Sequence, residues 1–333
     1  MNDLGKLAAK LVEIDESSAG QRLDNFLLGH LKGAPKSLIY RIIRSGEVRI
    51  NKGRADAADR LAMGDKVRVP PLRPGTIPDP KAAPAGAAKA AAGFPVLFED
   101  DFLIAINKPA GVAVHGGSGL KYGVIEALRA ARPDAKFLEL VHRLDRDTSG
   151  VLMLAKKRTT LVAMHELLRE GKTDKRYLTL TRGRWPHEAK HHVRAALHKY
   201  VTAEGERRVT PAEEDEGKEA HTVFTLQRRY AEATLLEAQL KTGRTHQIRV
   251  HLASSGYPIL GDDKYGDFEL NKRLQKQGLK RMFLHAAKIS FVHPESGERL
   301  RIEAPLPDEC ARYLASLAPA SAPSPATAAT SPR

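Results

Sequence analysis

Apolar residues recur along this chain at two spacings, and the change from one to the other marks out its elements. Near the N-terminus, Leu23, Phe26 and Leu27 fall at helical spacing within Arg22 to His30. A second helix is expected over Leu38 to Ser45, with Ser37 as its N-cap after Pro35 and Gly46 as its stop. The period then shortens to two. Glu47 to Asn51 alternates and leads into a turn at Lys52-Gly53, and Asp65 to Val69 alternates again. Further strands are expected over Leu103 to Asn107, Val151 to Ala155, Tyr177 to Arg182, His221 to Leu226, Thr234 to Leu240 and Arg301 to Ala304. Two helices interrupt them. Thr159 to Glu170 carries Leu161, Met164, Leu167 and Leu168 on one stripe, and His246 to Ser255 is closed by Gly256. Helices and strands do not alternate regularly, so the pattern implies an α+β fold with a mixed, mainly antiparallel sheet rather than a doubly wound α/β fold.

Composition divides the 333 residues into segments. Residues 1–18 read as an N-terminal extension and 19–71 as a small module. Residues 72–94 read as a linker rich in Pro and Ala, which cannot bury enough apolar surface to offset its ordering entropy. Residues 95–317 resume globular patterning, and 318–333, made mostly of Ala, Pro, Ser and Thr, read as a disordered tail. Between Gln21 and Arg73 there are twelve Lys or Arg against five Asp or Glu. Lys36, Arg41 and Arg44 sit on or beside the second helix, so the module reads as a basic platform for RNA or DNA. The whole chain carries a net charge of +14, which favours polyanionic partners. A membrane is the weaker candidate, because no apolar run approaches the roughly 18 residues needed to span a bilayer. No signal peptide is recognisable, and the single Cys310, read as a small buried hydrophobe, forms no internal disulfide; both fit a cytoplasmic protein.

The chemistry concentrates in His142-Arg143-Leu144-Asp145-Arg146-Asp147-Thr148-Ser149-Gly150, followed about a hundred residues later by Gly243-Arg244-Thr245-His246-Gln247-Ile248-Arg249-Val250-His251-Leu252. An Asp in a turn most often caps backbone N–H groups. Here Arg143 and Arg249 are candidate electrostatic partners for Asp145, and an arginine partner favours the ionised carboxylate that a nucleophile or base requires. A competing motif is His187-Glu188-Ala189-Lys190-His191, which on a helix would turn two imidazoles to zinc. Its neighbours are crowded with polar and charged residues, with no apolar face and no clear third ligand, so it reads as solvated surface. The glycine-rich Gly111 to Gly119 lacks the ending of a phosphate-binding loop and reads as a flexible loop. Asp262-Asp263, too few carboxylates for a calcium site, reads as a turn.

These motifs, with Asn107-Lys108-Pro109-Ala110-Gly111, Lys175-Arg176-Tyr177, Gly217-Lys218, Gly256-Tyr257-Pro258-Ile259-Leu260-Gly261-Asp262 and Leu284-His285-Ala286, resemble the pseudouridine synthases that modify ribosomal RNA, most of all those acting on the large subunit. The resemblance runs from about Ala19 to Leu317, and the N-terminal module resembles the S4-like RNA-binding module of such enzymes. It implies a mixed-sheet catalytic domain with Asp145 as the catalytic carboxylate, Tyr177 as the aromatic under the target uracil, and Arg249 as the partner of Asp145. Arg143 would hold the RNA with the uridine flipped out. The reaction consumes no redox equivalents, so no cofactor and no metal are expected, and the partner is large-subunit ribosomal RNA, bound by a protein read as a monomer. A non-catalytic RNA-binding protein on the same scaffold is the alternative. The long linker and the extra tail depart from the family pattern.

Overall fold

The computed structural model describes residues 9–16, 18–31, 34, 36–71, 87–116, 122–202, 206–213 and 215–319. Most of the expected linker, most of the expected tail, and the end of the glycine-rich loop lie outside the described residues.

The N-terminal module consists of β1 (Lys10–Glu13), α1 (Leu23–His30), α2 (Lys36–Arg44), β2 (Arg49–Ile50), β3 (Gly53–Arg54) and β4 (Lys66–Val69). Its antiparallel sheet has the order β1-β4-β2-β3. The extension assigned to residues 1–18 therefore contributes an edge strand, because Lys10 to Glu13 pair with Lys66 to Val69. Two residues with positive φ, Asn51 and Lys52, make the tight link between β2 and β3. The apolar stripe of α2 is fully used: Ile39 and Ile42 are buried with Leu23, Leu27, Val48 and Val67. That packing stabilises the helix. It starts at Lys36, so Ser37 lies inside the first turn instead of preceding it.

The remaining elements are α3 (Ala87–Ala91), β5 (Val96–Glu99), β6 (Leu103–Lys108), α4 (Val124–Ala131), β7 (Glu139–Leu140), β8 (Ser149–Ala155), α5 (Arg158–Arg169), β9 (Asp174–Arg182), β10 (His191–Val201), β11 (Arg207–Ala212), β12 (Lys218–Arg229), β13 (Ala233–Leu240), α6 (Gln247–Ser254), α7 (Phe268–Lys276), β14 (Leu284–Val292), β15 (Arg299–Glu303) and α8 (Asp308–Ser316). Nine strands run β11-β10-β12-β13-β9-β14-β8-β6-β5, with β15 added to β14 and β7 to β8. Every pair is antiparallel except β14 with β8, so the mixed, mainly antiparallel sheet is observed.

The middle strands bury both faces. Ile104, Ile106, Leu152 and Leu154 pack on one side with α4 and α6 residues such as Leu128 and Ile248. Leu103, Ala105, Val151 and Met153 pack on the other with Met164 of α5. Continuous apolar runs in β6 and β8 follow from this double burial. The register across β8, β14 and β9 places the chemistry. Gly150 pairs with Ala286, and Ala286 pairs with Tyr177. A Cβ on Gly150, whose φ is +111°, would stand 2.2 Å from the Ala286 carbonyl oxygen, so only glycine admits this approach. The turn that carries Asp145 thus enters β8 two strands from Tyr177. The module touches this body where Arg158, first residue of α5, donates from Nε to the Ala19 carbonyl at 3.1 Å.

Asp24 organises the module's own charge. It accepts two hydrogen bonds from Arg22 and one from Tyr40 Oη at 2.9 Å, plus the Asn25 N–H. The Arg22 bond leads in pulling its pKa to about 2; burial opposes, and Tyr40 and Asn25 assist. A carboxylate depressed in the folded state contributes stability above its unfolded pKa and loses it as pH falls through the folded value. Because Arg22 is open to solvent, the contribution is reduced to about 1 kcal/mol. Asp24→Asn is therefore expected to lower hydrogen-exchange protection across residues 10–69 at pH 7, with the deficit shrinking between about pH 4 and pH 2.

Candidate active site

A cleft of about 900 Å³ opens over one end of the sheet. Its walls include Asp145, Tyr177, Arg249, Arg143, His246 and Lys175. Asp145 stands on the turn before β8, where the Thr148 N–H closes on the Asp145 carbonyl at 3.2 Å. Its side chain is 27% exposed, open enough to meet a ligand. Tyr177 enters from β9 and is buried, with its pKa raised first by that burial and then by the charge of Asp145.

Arg249 comes from α6 and is 2% exposed. Its Nη1 lies 3.5 Å from Asp145 Oδ2. Its closer partner is Asp262, which takes Nε and Nη2 at 2.7 Å each. Asp262 is fully buried and also accepts the backbone N–H groups of Lys264 and Tyr265. Burial pushes this carboxyl upward, but the bonds and charge of Arg249 and the two N–H groups outweigh it and hold it below the usual range. Burial lowers Arg249 in turn, and its bonds and charges with Asp262, then Asp145, more than reverse that. The Asp262-Asp263 segment, expected to be a plain turn, thus supplies the principal counter-charge of the site. Its place in the Gly-Asp motif was visible; that its first carboxylate points inward was not.

Arg143 does not pair with Asp145. It is exposed at the rim of the cleft and joins no salt bridge among the described residues. The chain from Arg143 to Asp145 has no regular structure, so spacing by two does not turn both side chains the same way. Its freedom leaves it available to an anionic ligand.

Two basic side chains, the buried Lys108 and the partly buried Arg281, fix the Asp145 turn from beneath. Lys108 is fully buried and donates from Nζ to the carbonyls of Pro109 and Val112 at 2.8 Å and of Arg146 at 2.9 Å. Burial draws its pKa down to about 7, opposed by Asp147, reinforced by Arg281 and opposed again by Asp145. Three acceptors match the three N–H donors of the ammonium form. Arg281 donates to the Asp147 carbonyl at 3.3 Å and to Ser149 Oγ at 2.8 Å. Ser149 Oγ also meets His285 Nδ1 at 2.8 Å. Lys108 lay inside a recognised motif, but nothing in its spacing disclosed this clamp, and Arg281 gave no signal at all.

The His187 to His191 segment forms no helix. The rings of His187 and His191 stack at 3.6 Å beside Trp185, and Glu188 binds Arg229, so the zinc geometry is not made. In the N-terminal module, Arg41 and Arg44 are exposed on α2, opposite Ile39, Ile42 and Ile43. Exposed Arg49 and Arg54 lie nearby, Arg54 donating to the Arg44 carbonyl at 3.3 Å. The side chain of Lys36 lies outside the described residues.

Residues 102–254 match the model of the RNA pseudouridylate synthase family, and residues 21–67 match the S4 domain. Over 308 residues the chain is 52% identical to the ribosomal large subunit pseudouridine synthase C of Yersinia pestis, covering 92% of this chain and 95% of that one. The protein of the same name from Escherichia coli strain K12 is 51% identical over 312 residues, with 93% and 97% covered. Among solved structures, human RNA pseudouridylate synthase domain containing 4 aligns with a TM-score of 0.54 at 26% identity, over 68% of this chain and 94% of that one.

Removing the Lys108 ammonium would leave three carbonyls without donors, at about 1–3 kcal/mol for each buried group left unpaired. Lys108→Met is expected to lower stability by about 3 kcal/mol or more, measured by denaturant unfolding. An unchanged midpoint would show that the ammonium does not hold the turn.

Proposed function

Because the chain belongs to the RNA pseudouridylate synthase family, we propose that it isomerises uridines to pseudouridine in large-subunit ribosomal RNA, with Asp145 as the catalytic carboxylate. The observation that carries this reading is the convergence of Asp145, Tyr177 and Arg249 in one cleft. The Gly150–Ala286–Tyr177 register brings the strand after Asp145 to Tyr177, and Asp262 holds Arg249 beside them.

The chemistry requires that the bond from C1′ to N1 of the uracil break, that the base turn, and that C1′ rejoin it at C5, while C5 loses a proton and N1 ends with one. A stacked base has no room to turn, so the nucleotide must be extruded, at a cost of a few kcal/mol. One base-aromatic stack is worth about 1–3 kcal/mol, so Tyr177 offsets much of that cost. Arg143, unpaired at the rim, holds the RNA from which the uridine has left. Arg249 faces Asp145 at 3.5 Å and aims it, while Asp262 keeps Arg249 in place. Asp145 then assists the departure and return of the base. The protein acts as a monomer in the cytoplasm, with ribosomal RNA as its partner.

The basic surface of the S4 module supplies sequence-independent affinity through phosphate contacts. Arg41, Arg44 and Lys36 are the residues assigned to it, with Arg49 and Arg54 beside them.

Incubating unmodified large-subunit RNA with wild-type protein should yield pseudouridine, and Asp145→Asn should yield none in a mass-spectrometric assay. An Asn variant as active as wild type would remove Asp145 from the mechanism. Replacing both Arg41 and Arg44 by Gln is expected to weaken RNA binding and to reduce the slope of log affinity against log salt by about 2. An unchanged slope would take these two residues off the RNA.

A further inference from the structure

His246 joins three observations that no role described so far explains. The first is backbone strain. Its φ of 52° and ψ of 19° place it in the left-handed region at the N-cap of α6. Among the described residues only two other non-glycines have positive φ, and both lie in the β2–β3 turn, where that conformation is ordinary. A left-handed residue bearing a side chain costs about 1–2 kcal/mol and persists where its surroundings hold it.

The second observation is the proton on the ring. His246 Nδ1 lies 2.8 Å from Tyr265 Oη, and Tyr265 Oη accepts the Val209 N–H at 3.0 Å. Among the described contacts, the imidazole is the only acceptor for the phenolic proton. Tyr265 therefore donates to Nδ1, and the ring proton is left on Nε2.

The third is direction. Nε2 faces Asp145 Oδ2 at 3.9 Å, inside the cleft. That separation exceeds hydrogen-bond range. The N–H is thus presented beside the carboxylate without being used by it. Burial lowers the pKa of the imidazole; Asp145 opposes, Arg249 and Lys264 add to the lowering, and Asp262 opposes. The ring is accordingly neutral at pH 7.

We propose that His246 contacts the target uridine as a fixed, neutral Nε2–H donor to one of its oxygens, orienting the extruded nucleotide against Asp145. This rests on the reading of Asp145 as the catalytic carboxylate. His246 passes no proton in the reaction. Phosphate contacts dominate RNA affinity, so the donor acts on the rate of the bound complex rather than on binding.

Two substitutions separate the side chain from the backbone. Gln places an amide N–H near the position of Nε2, whereas Asn places one near Nδ1. Asn tolerates the left-handed backbone better than Gln does. In single-turnover assays of the full chain with large-subunit RNA, His246→Gln is expected to stay within about fivefold of wild type. His246→Asn should fall about tenfold or more, with RNA affinity unchanged. Tyr265→Phe keeps the ring beneath Arg249, 5.1 Å from the guanidinium carbon to the ring centre. By ¹⁵N histidine NMR it should convert His246 from the pure Nε2–H tautomer to a mixture, with a slower rate. An active wild type in which Asn is at least as fast as Gln, or in which His246 carries its proton on Nδ1, overturns this proposal alone. A wild type that forms no pseudouridine overturns the parent reading instead.

Discussion

Arg249 carries a full positive charge while almost wholly removed from water. Burying such a charge costs several kcal/mol unless it is paired and hydrogen-bonded. The pair with Asp262, two short parallel bonds in a fork, meets that demand. The pairing also has a directional result. With Nε and Nη2 committed to Asp262, Nη1 is the edge left to face Asp145. Asp145 therefore meets a guanidinium whose position is set by a second, inaccessible carboxylate. One positive charge is shared among three carboxylates, those of Asp262, Asp263 and Asp145.

The turn bearing Asp145 is constrained from the other side by backbone contacts. Lys108 and Arg281 bind the carbonyls of Arg146 and Asp147, and Gly150 lets β8 lie against β14. Side-chain pairing from above and carbonyl clamping from below leave the turn little freedom. This arrangement suits catalysis by positioning, where a displacement of about 1 Å can cost a hundredfold in rate. The chemistry sits on the sheet, and the basic N-terminal module adds affinity that need not be accurate in the same way.

Much of this was legible in the sequence. All eight expected strands and the four expected helices are present, because their apolar periods were clean. β10 and β14 escaped notice for physical reasons. His191 to Val201 is crowded with charged and imidazole side chains, and its strand character comes from pairing with β11 and β12 rather than from apolar alternation. Leu284 to Val292 lies in the middle of the sheet, where neighbours and not periodicity define it. At the site, residue types and motif order led to Asp145, Tyr177 and Arg249. Direction was not readable. Arg143 and Asp145 sit two apart yet do not pair, whereas Asp262 and Arg249, thirteen apart, form a buried, two-bonded charge pair. Linear spacing reports which groups are available; the fold decides where each one points.

The claim that Asp262 sets the active geometry through Arg249 is tested most directly by Asp262→Asn. The amide keeps the shape and an acceptor oxygen but removes the charge that fixes the guanidinium. Single-turnover pseudouridine formation should fall by about a hundredfold, near 2.7 kcal/mol, while RNA affinity stays within about twofold of wild type. A folded Asp262→Asn protein that modifies RNA at the wild-type rate would contradict the account.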